Sequence, residues 1–241
     1  MTPYVSIITI TMNHLKYITE MMNSLFTTGR PSVPFEVIIV DNCSSDSTAP
    51  LIRSHYPEVR IIQNTQIYGF AHNNNIGVQQ ATGKYILILN PDIVVKPSSI
   101  DKVYQFAKEN PSCGVIAPKL LNPDGTLKYS GRCFLSPHIF FHRFLTMGND
   151  ASKNKNVTDY LMKNLPMDKP VDVDWCMGTA LLLRRDFYNE LKGFDVKFFL
   201  YIEDMDICYR CWNKGKPWLH LKSFIYFLIK NQFKAITRPI N

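Results

Sequence analysis

Five apolar residues in an unbroken run, Tyr85-Ile-Leu-Ile-Leu89, stop at Asn90-Pro91-Asp92. A run this short and rich in Ile and Leu suits a strand buried on both faces of a parallel sheet. Pro91 removes a ladder donor and fixes φ, so the strand must end there. Asn90 and Asp92 then stand at the carboxyl edge of a central strand, where open α/β sheets bind their ligands. A carboxylate in that place can hold a hard divalent cation against phosphate oxygens. The residues alone leave a second reading open, a plain turn, because Asn, Pro and Asp all favour turns.

The segments before this run alternate between strand and helix patterns. Val5–Thr11 is β-branched and reads as the first strand. Met12-Asn13-His14 turns the chain, and Leu15, Ile18, Met22 and Leu25 recur at helical spacing until Gly29-Arg30-Pro31. Phe35–Val40 is a second strand that runs into Asp41-Asn42, and Ser44, Ser45 and Asp46 supply capping groups for a short helix through Ser54. Val59–Gln63 is a third strand. A polar loop is expected over Asn64–Asn75, then a short helix to Ala81. This alternation implies right-handed crossovers and a mostly parallel, Rossmann-like sheet over residues 1–95. No Gly-x-Gly-x-x-Gly and no Walker loop follows the first strand, which disfavours a nicotinamide dehydrogenase or a P-loop NTPase.

Beyond residue 95 the pattern is looser. Ile100–Glu109 reads as a helix, Cys113–Pro118 as a strand and Asn122–Gly125 as a turn. Residues 130–168 hold aromatics, His and basic residues without clear periodicity, open to reading as an acceptor-facing flap or a surface segment. Val171–Asp174 alternates like an edge strand, and Thr179–Leu183 is a further strand. Glu203, Asp204 and Asp206 crowd three carboxylates into four residues, where they repel one another. The helix macrodipole would ease them, but the aromatics just before would shield an acid from water and make it a base.

Charge is placed unevenly. The 241 residues carry 27 Lys and Arg against 20 Asp and Glu, and the whole excess of +7 is matched by seven cations after Asp206, where no acid remains. One basic surface at the carboxyl end is implied, rather than a general nucleic-acid binder. Six scattered cysteines fit reduced cytosolic thiols, and Cys208-x-x-Cys211 reads as helix packing. The amino terminus has no basic n-region, so no signal peptide is expected, and no apolar run reaches the length of a membrane span.

Several stretches taken together resemble the family-two inverting glycosyltransferases, and within them the rhamnosyltransferase-like enzymes of bacterial cell-surface polysaccharide assembly. They are Val5–Asn13, Val40-Asp41-Asn42 with Ser44 and Asp46, Gly69-Phe70-Ala71 with Asn75, Leu89–Asp92, Trp175 with Gly178, and Gly193–Asp195 leading to Phe198–Asp206. The likeness covers residues 3 to 216. It implies a GT-A fold, with a nucleotide-sugar-binding half over 1–95 and an acceptor half over 96–216. The partners it implies are a nucleoside-diphosphate sugar and a saccharide or lipid-linked acceptor. Thr11, Asp41, Asn42, Gly69 and Asn75 would meet the nucleotide. Asn90 and Asp92 occupy the ends of the family's Asp-x-Asp signature, with Asp92 binding Mg²⁺ or Mn²⁺. Trp175 and Gly178 would shape the acceptor site, Asp204 matches the general base, and Glu203 and Asp206 would orient the acceptor or hold the helix start.

The resemblance breaks after Lys216. The family has a strand there, then a loop with a His near the metal or diphosphate. Here Pro217 leads into an apolar, basic run that reads as an amphipathic helix over 217–241, so that strand and loop are expected to be missing. The helix suits an interfacial segment on the inner face of the cytoplasmic membrane, or packing on its own domain or on a twin subunit in a homodimer. A shortened member that binds nucleotide sugar without turnover is the alternative to an active transferase.

Overall fold

The structure, a computed structural model, describes residues 2–145, 154–164, 170–215, 218–220 and 227–229. The first half runs β1 (Val5–Thr11), α1 (Leu15–Phe26), β2 (Phe35–Asp41), α2 (Thr48–His55), β3 (Arg60–Gln63), α3 (Phe70–Gln79) and β4 (Tyr85–Leu89). Next come β5 (Ile93–Val94), α4 (Ser99–Glu109), β6 (Val115–Ala117), β7 (Leu120–Leu121), β8 (Leu127–Lys128) and β9 (Gly131–Arg132). The remainder is α5 (Pro137–Leu145), α6 (Lys155–Tyr160), β10 (Trp175–Cys176), β11 (Ala180–Arg184), α7 (Arg185–Glu190), α8 (Glu203–Asn213), β12 (Trp218–His220) and β13 (Phe227–Ile229).

Seven strands form the main sheet in the order β12-β6-β11-β4-β1-β2-β3. The pairs β1–β2, β1–β4, β2–β3 and β6–β12 are parallel, while β11 runs antiparallel to both β4 and β6. The sheet is therefore mostly parallel, as its apolar runs require. β4 is buried along its whole length. Tyr85, Leu87 and Leu89 face one apolar layer with α1 and α4, and Ile86 and Ile88 face the other with α3 and α8. Full burial of each Leu or Ile contributes roughly 1.5–3 kcal/mol, which fixes this strand at the centre.

Three expectations change. α3 begins at Phe70, inside the stretch read as loop. Its asparagines fold back on the helix: the Asn73 amide donates to the Gly69 carbonyl and the Asn74 amide to the Phe70 carbonyl, each at 3.0 Å. Their polarity suggested a loop, but those local bonds satisfy it inside a helix. Of the edge strand expected at Val171–Asp174 only an isolated bridge at Val171 forms, and the ladder with β9 begins at Trp175.

The helix expected over 217–241 is replaced, in its six described residues, by strand. β12 extends the main sheet beside β6, and β13 pairs with β5 and β7. A strand thus does follow α8, where one was expected to be missing; the rest of that segment lies outside the described residues. The open edge of β6 offers unpaired backbone groups, and that tertiary template outweighs helical periodicity. Among the described residues no helix is long and apolar enough to cross a membrane.

Candidate active site

Parallel β1 and β2 deliver their ends side by side: Thr11 pairs with Asp41, and the Asn42 N–H donates to the Thr11 carbonyl at 2.8 Å. Asp41 is buried, and its carboxylate accepts from the Ser44 N–H and Gln63 Nε2, each at 3.2 Å. Asn42 is spent on the chain itself. Its Oδ1 accepts from the Tyr68 N–H at 2.9 Å and Asn64 Nδ2 at 3.1 Å, and its Nδ2 donates to the Tyr68 carbonyl at 3.0 Å. Asn42 therefore shapes the loop before α3. Thr11 differs: its Oγ1 is buried without a hydrogen-bond partner.

Gly69 and Asn75 clasp the distant acidic segment. A Cβ on Gly69 would lie 2.7 Å from Phe199 Cα, and the Phe70 N–H donates to the Phe199 carbonyl at 2.8 Å. Only glycine allows that approach. Asn75 Nδ2 donates to the Phe194 carbonyl at 2.8 Å, while its Oδ1 accepts from the Tyr188 hydroxyl at 2.6 Å and the Phe194 N–H at 3.0 Å. Both residues, expected at the nucleotide, are engaged in tying α3 to the segment that leads into α8.

The turn after β4 does carry a site. The Asn90 N–H donates to the Thr179 carbonyl at 2.9 Å. Asp92 Oδ1 is buried without a hydrogen-bond partner. Burial pushes the Asp92 carboxyl above its ordinary pKa, opposed by its own backbone N–H and by the charges of His14 and Lys128. His14, just past β1, is pushed below its ordinary value by burial, and the carboxylates of Asp92 and Asp46 oppose that shift. Among the described residues no cluster of three or more His, Cys, Asp or Glu is gathered as a preformed metal cage. An orphaned carboxylate oxygen with a neighbouring imidazole is still a fitting donor pair for a cation whose remaining ligands come from a diphosphate.

Because β11 is antiparallel to β4, its amino end meets the carboxyl end of β4, with Ala180 opposite Leu89. Gly178 therefore arrives at the same sheet edge, and its N–H donates to Asp204 Oδ2 at 3.0 Å. The path Asn90–Thr179–Gly178–Asp204 is a short backbone link between the two acids. Asp204 Oδ1 accepts from the Met205 N–H at 2.8 Å in the first turn of α8. Burial raises the Asp204 pKa, against the hydrogen bonds from Gly178 and Met205 and the charge of Arg132. Glu203 is 5% exposed, its Oε2 has no hydrogen-bond partner, and burial lifts its carboxyl to about 7.

Backbone strain marks the same place. Tyr201 and Ile202, immediately before Glu203, have φ of 68° and 70°. A β-branched or bulky residue in that region costs on the order of 1–3 kcal/mol and persists only where its surroundings impose it.

The other two expected acceptor residues sit further back. Trp175 is buried, donates to the Cys133 carbonyl at 2.8 Å and lies against the Arg132 guanidinium, 5.8 Å from its ring centre. Asp206 pairs with Arg210 at 2.7 Å, and Arg210 Nη2 also donates to the Gly193 carbonyl at 2.9 Å, which braces the entry to α8. Sequence reasoning passed over His14, which looked like a turn residue, and Arg132, which lies in a stretch without periodicity. Neither has a local signal; both are defined by a partner that the fold brings from elsewhere.

This sheet order and paired acids at one edge are those of the GT-A class. The crystal structure of Staphylococcus aureus TarS residues 1–349 aligns with a TM-score of 0.64 at 18% identity, covering 94% of this chain and 60% of that one. The structure of GalNAc-T7 with UDP, GalNAc and Mn²⁺ aligns at 0.70 with 14% identity, covering 99% of this chain and 45% of that one. The chain thus spans less than two thirds of either solved structure. The profile of Glycosyl transferase family 2 matches residues 6–175, and the chain belongs to that family. It is 28% identical over 232 residues to the N-acetylglucosaminyl-diphospho-decaprenol L-rhamnosyltransferase of Mycobacterium tuberculosis, covering 91% of this chain and 73% of that protein. It is also 28% identical over 214 residues to the rhamnosyltransferase WbbL of Escherichia coli K12, covering 86% of this chain and 76% of that protein.

Proposed function

We propose that the protein transfers a sugar from a nucleoside diphosphate to a saccharide or lipid-linked acceptor with inversion, in the assembly of a cell-surface polysaccharide. The observation that supports this reading is the backbone link from Asn90 to Asp204, which ties the turn holding Asp92 to Asp204 at one sheet edge. The two rhamnosyltransferase relatives make an L-rhamnosyl nucleotide the first donor to try, and the name of one supports a lipid diphosphate acceptor.

The nucleotide lies over the ends of β1 and β2, where Thr11 Oγ1 and Asp41 receive it and Asn42 fixes the loop beside it. Asp92 would hold a divalent Mg²⁺ or Mn²⁺, with His14 near enough for its charge to act on the same carboxylate; such a cation would neutralise charge on the departing diphosphate. Asp204 takes the proton of the acceptor hydroxyl as that oxygen bonds to the anomeric carbon. The bond to the diphosphate breaks on the opposite face. Its raised pKa makes Asp204 a stronger base than an exposed carboxylate, while Gly178 keeps the receiving oxygen in place. Glu203 Oε2, buried and unpartnered, is available to a second acceptor hydroxyl.

The test is a panel of nucleotide sugars by calorimetry, followed by release of free nucleoside diphosphate with and without Mn²⁺. Asp204→Asn should retain donor affinity and lose on the order of 10²–10⁴-fold in turnover. Unchanged turnover in that variant removes Asp204 as the base.

A further inference from the structure

We propose that Gln63 is a positioning residue for the donor nucleoside: it fixes the direction in which Asp41 presents its carboxylate to a hydrogen-bond-donating edge of the base or ribose. Thr11, Asp41 and Gln63 are register partners across the parallel strands β1, β2 and β3. Each is the last residue of its strand. Register partners share a face of the sheet, so the three side chains form one polar row at the carboxyl edge, where such sheets bind ligands. The backbone there is already engaged: the Asn42 N–H donates to the Thr11 carbonyl at 2.8 Å and the Asn64 N–H to the Asp41 carbonyl at 2.9 Å. Recognition is left to the side chains.

Gln63 has one permitted orientation. Its Oε1 accepts from Arg53 Nη2 at 2.5 Å, and its Nε2 donates to Asp41 Oδ2 at 3.2 Å. A guanidinium only donates and a carboxylate only accepts, so a flipped amide would set donor against donor and acceptor against acceptor. The Ser44 N–H holds the other oxygen, Asp41 Oδ1, at 3.2 Å. One bond to each oxygen pins the plane of the carboxylate and uses about half of its roughly four acceptor sites. Asp41 is 1% exposed, and a buried carboxylate with unfilled acceptor sites is costly. Whatever fills them must bring N–H or O–H groups. The oxygens of a diphosphate bring none and repel the carboxylate, which leaves the nucleoside. Strand order agrees: β4, with Asp92 beyond its end, lies on one side of β1, and β2 and β3 lie on the other. A diphosphate near Asp92 therefore leaves its nucleoside over Asp41 and Gln63. The proposal rests on the transferase reading above, which brings a nucleotide to this edge.

Calorimetry on the full chain with Mn²⁺ tests it, using uridine, thymidine and guanosine diphosphates beside inorganic pyrophosphate. Gln63→Leu removes the donor at similar size and should weaken the nucleoside diphosphates that the parent chain binds by about tenfold or more. Gln63→Glu sets acceptor against acceptor and should weaken them at least as much. Pyrophosphate has no nucleoside, so its affinity should not change. A residue needed only for folding would lower both affinities together with the urea midpoint, and that result overturns the proposal. Because Gln63 acts through Asp41, Gln63→Leu should cost little more in an Asp41→Asn background. Methylating the ring N–H of the bound base divides the two sources of donors. A Gln63 effect lost on methylation belongs to the base, one that survives belongs to the ribose, and both support the proposal. Equal nucleoside diphosphate affinity in the parent chain and Gln63→Leu, or losses that add in the double variant, overturns the proposal and leaves the transferase reading standing. A parent chain that binds none of the nucleotides overturns that reading and this proposal together.

Discussion

Replacing Glu203 by Gln should flatten part of the pH dependence of stability. The folded chain buries this carboxyl and raises it from 4.5 to about 7. Between those two values the folded protein keeps a proton that the unfolded chain has released. Unfolding then gives up a proton, so rising pH favours the unfolded state. The loss accumulates from the unfolded value up to the folded one and stops there. At about 1.4 kcal/mol per unit, the full interval amounts to roughly 3 kcal/mol, an upper figure for one group. Glutamine occupies the same volume and does not titrate. Urea unfolding at about pH 5 and about pH 8 reads the effect, with the slope against denaturant unchanged. Stability of the parent chain relative to Glu203→Gln should fall by up to roughly 3 kcal/mol across that range, because titrations common to both chains cancel in the difference. Two parallel curves would refute the assignment of a buried, proton-holding Glu203.

The charge of Arg132 lowers the Asp204 pKa, so Arg132→Gln should move the acidic limb of the turnover profile to higher pH; an unmoved limb separates Arg132 from the base. Asp92→Asn should weaken donor binding about tenfold or more with Mn²⁺ present and far less without it, measured by calorimetry. Gly69→Ala drives a methyl group into the Phe199 backbone and should cost about 1–3 kcal/mol in thermal stability, with turnover falling in step because that backbone leads to Asp204.

Much of the first 95 residues was legible because the signals there are local. β1 begins and ends where its β-branched run does, and β4 fills the apolar run before Pro91. Alternating elements imposed a mostly parallel sheet, and the short acidic stretch became the first turn of α8. The polar run of Asn73 and Asn74 misled, because side-chain bonds that close within a helix look in sequence like those that open a loop. The carboxyl segment misled for a related reason: helical periodicity is a property of the segment, whereas β12 exists because β6 has an edge to pair with.

The sequence by itself determined which residues are buried strands, where β4 must stop, and that Asp92 and Asp204 each stand at the end of an element. Tertiary structure alone decided that the two acids are joined through backbone at one sheet edge. The antiparallel β11 returns Thr179 and Gly178 to the edge where β4 ends, so that one backbone stretch meets Asn90 and Asp204 together. It also decided that Asn75 braces the segment leading into α8, and that the charges of His14 and Arg132 act on Asp92 and Asp204. Contacts among residues so far apart in the chain depend on strand direction and register, which hydrophobic periodicity does not encode.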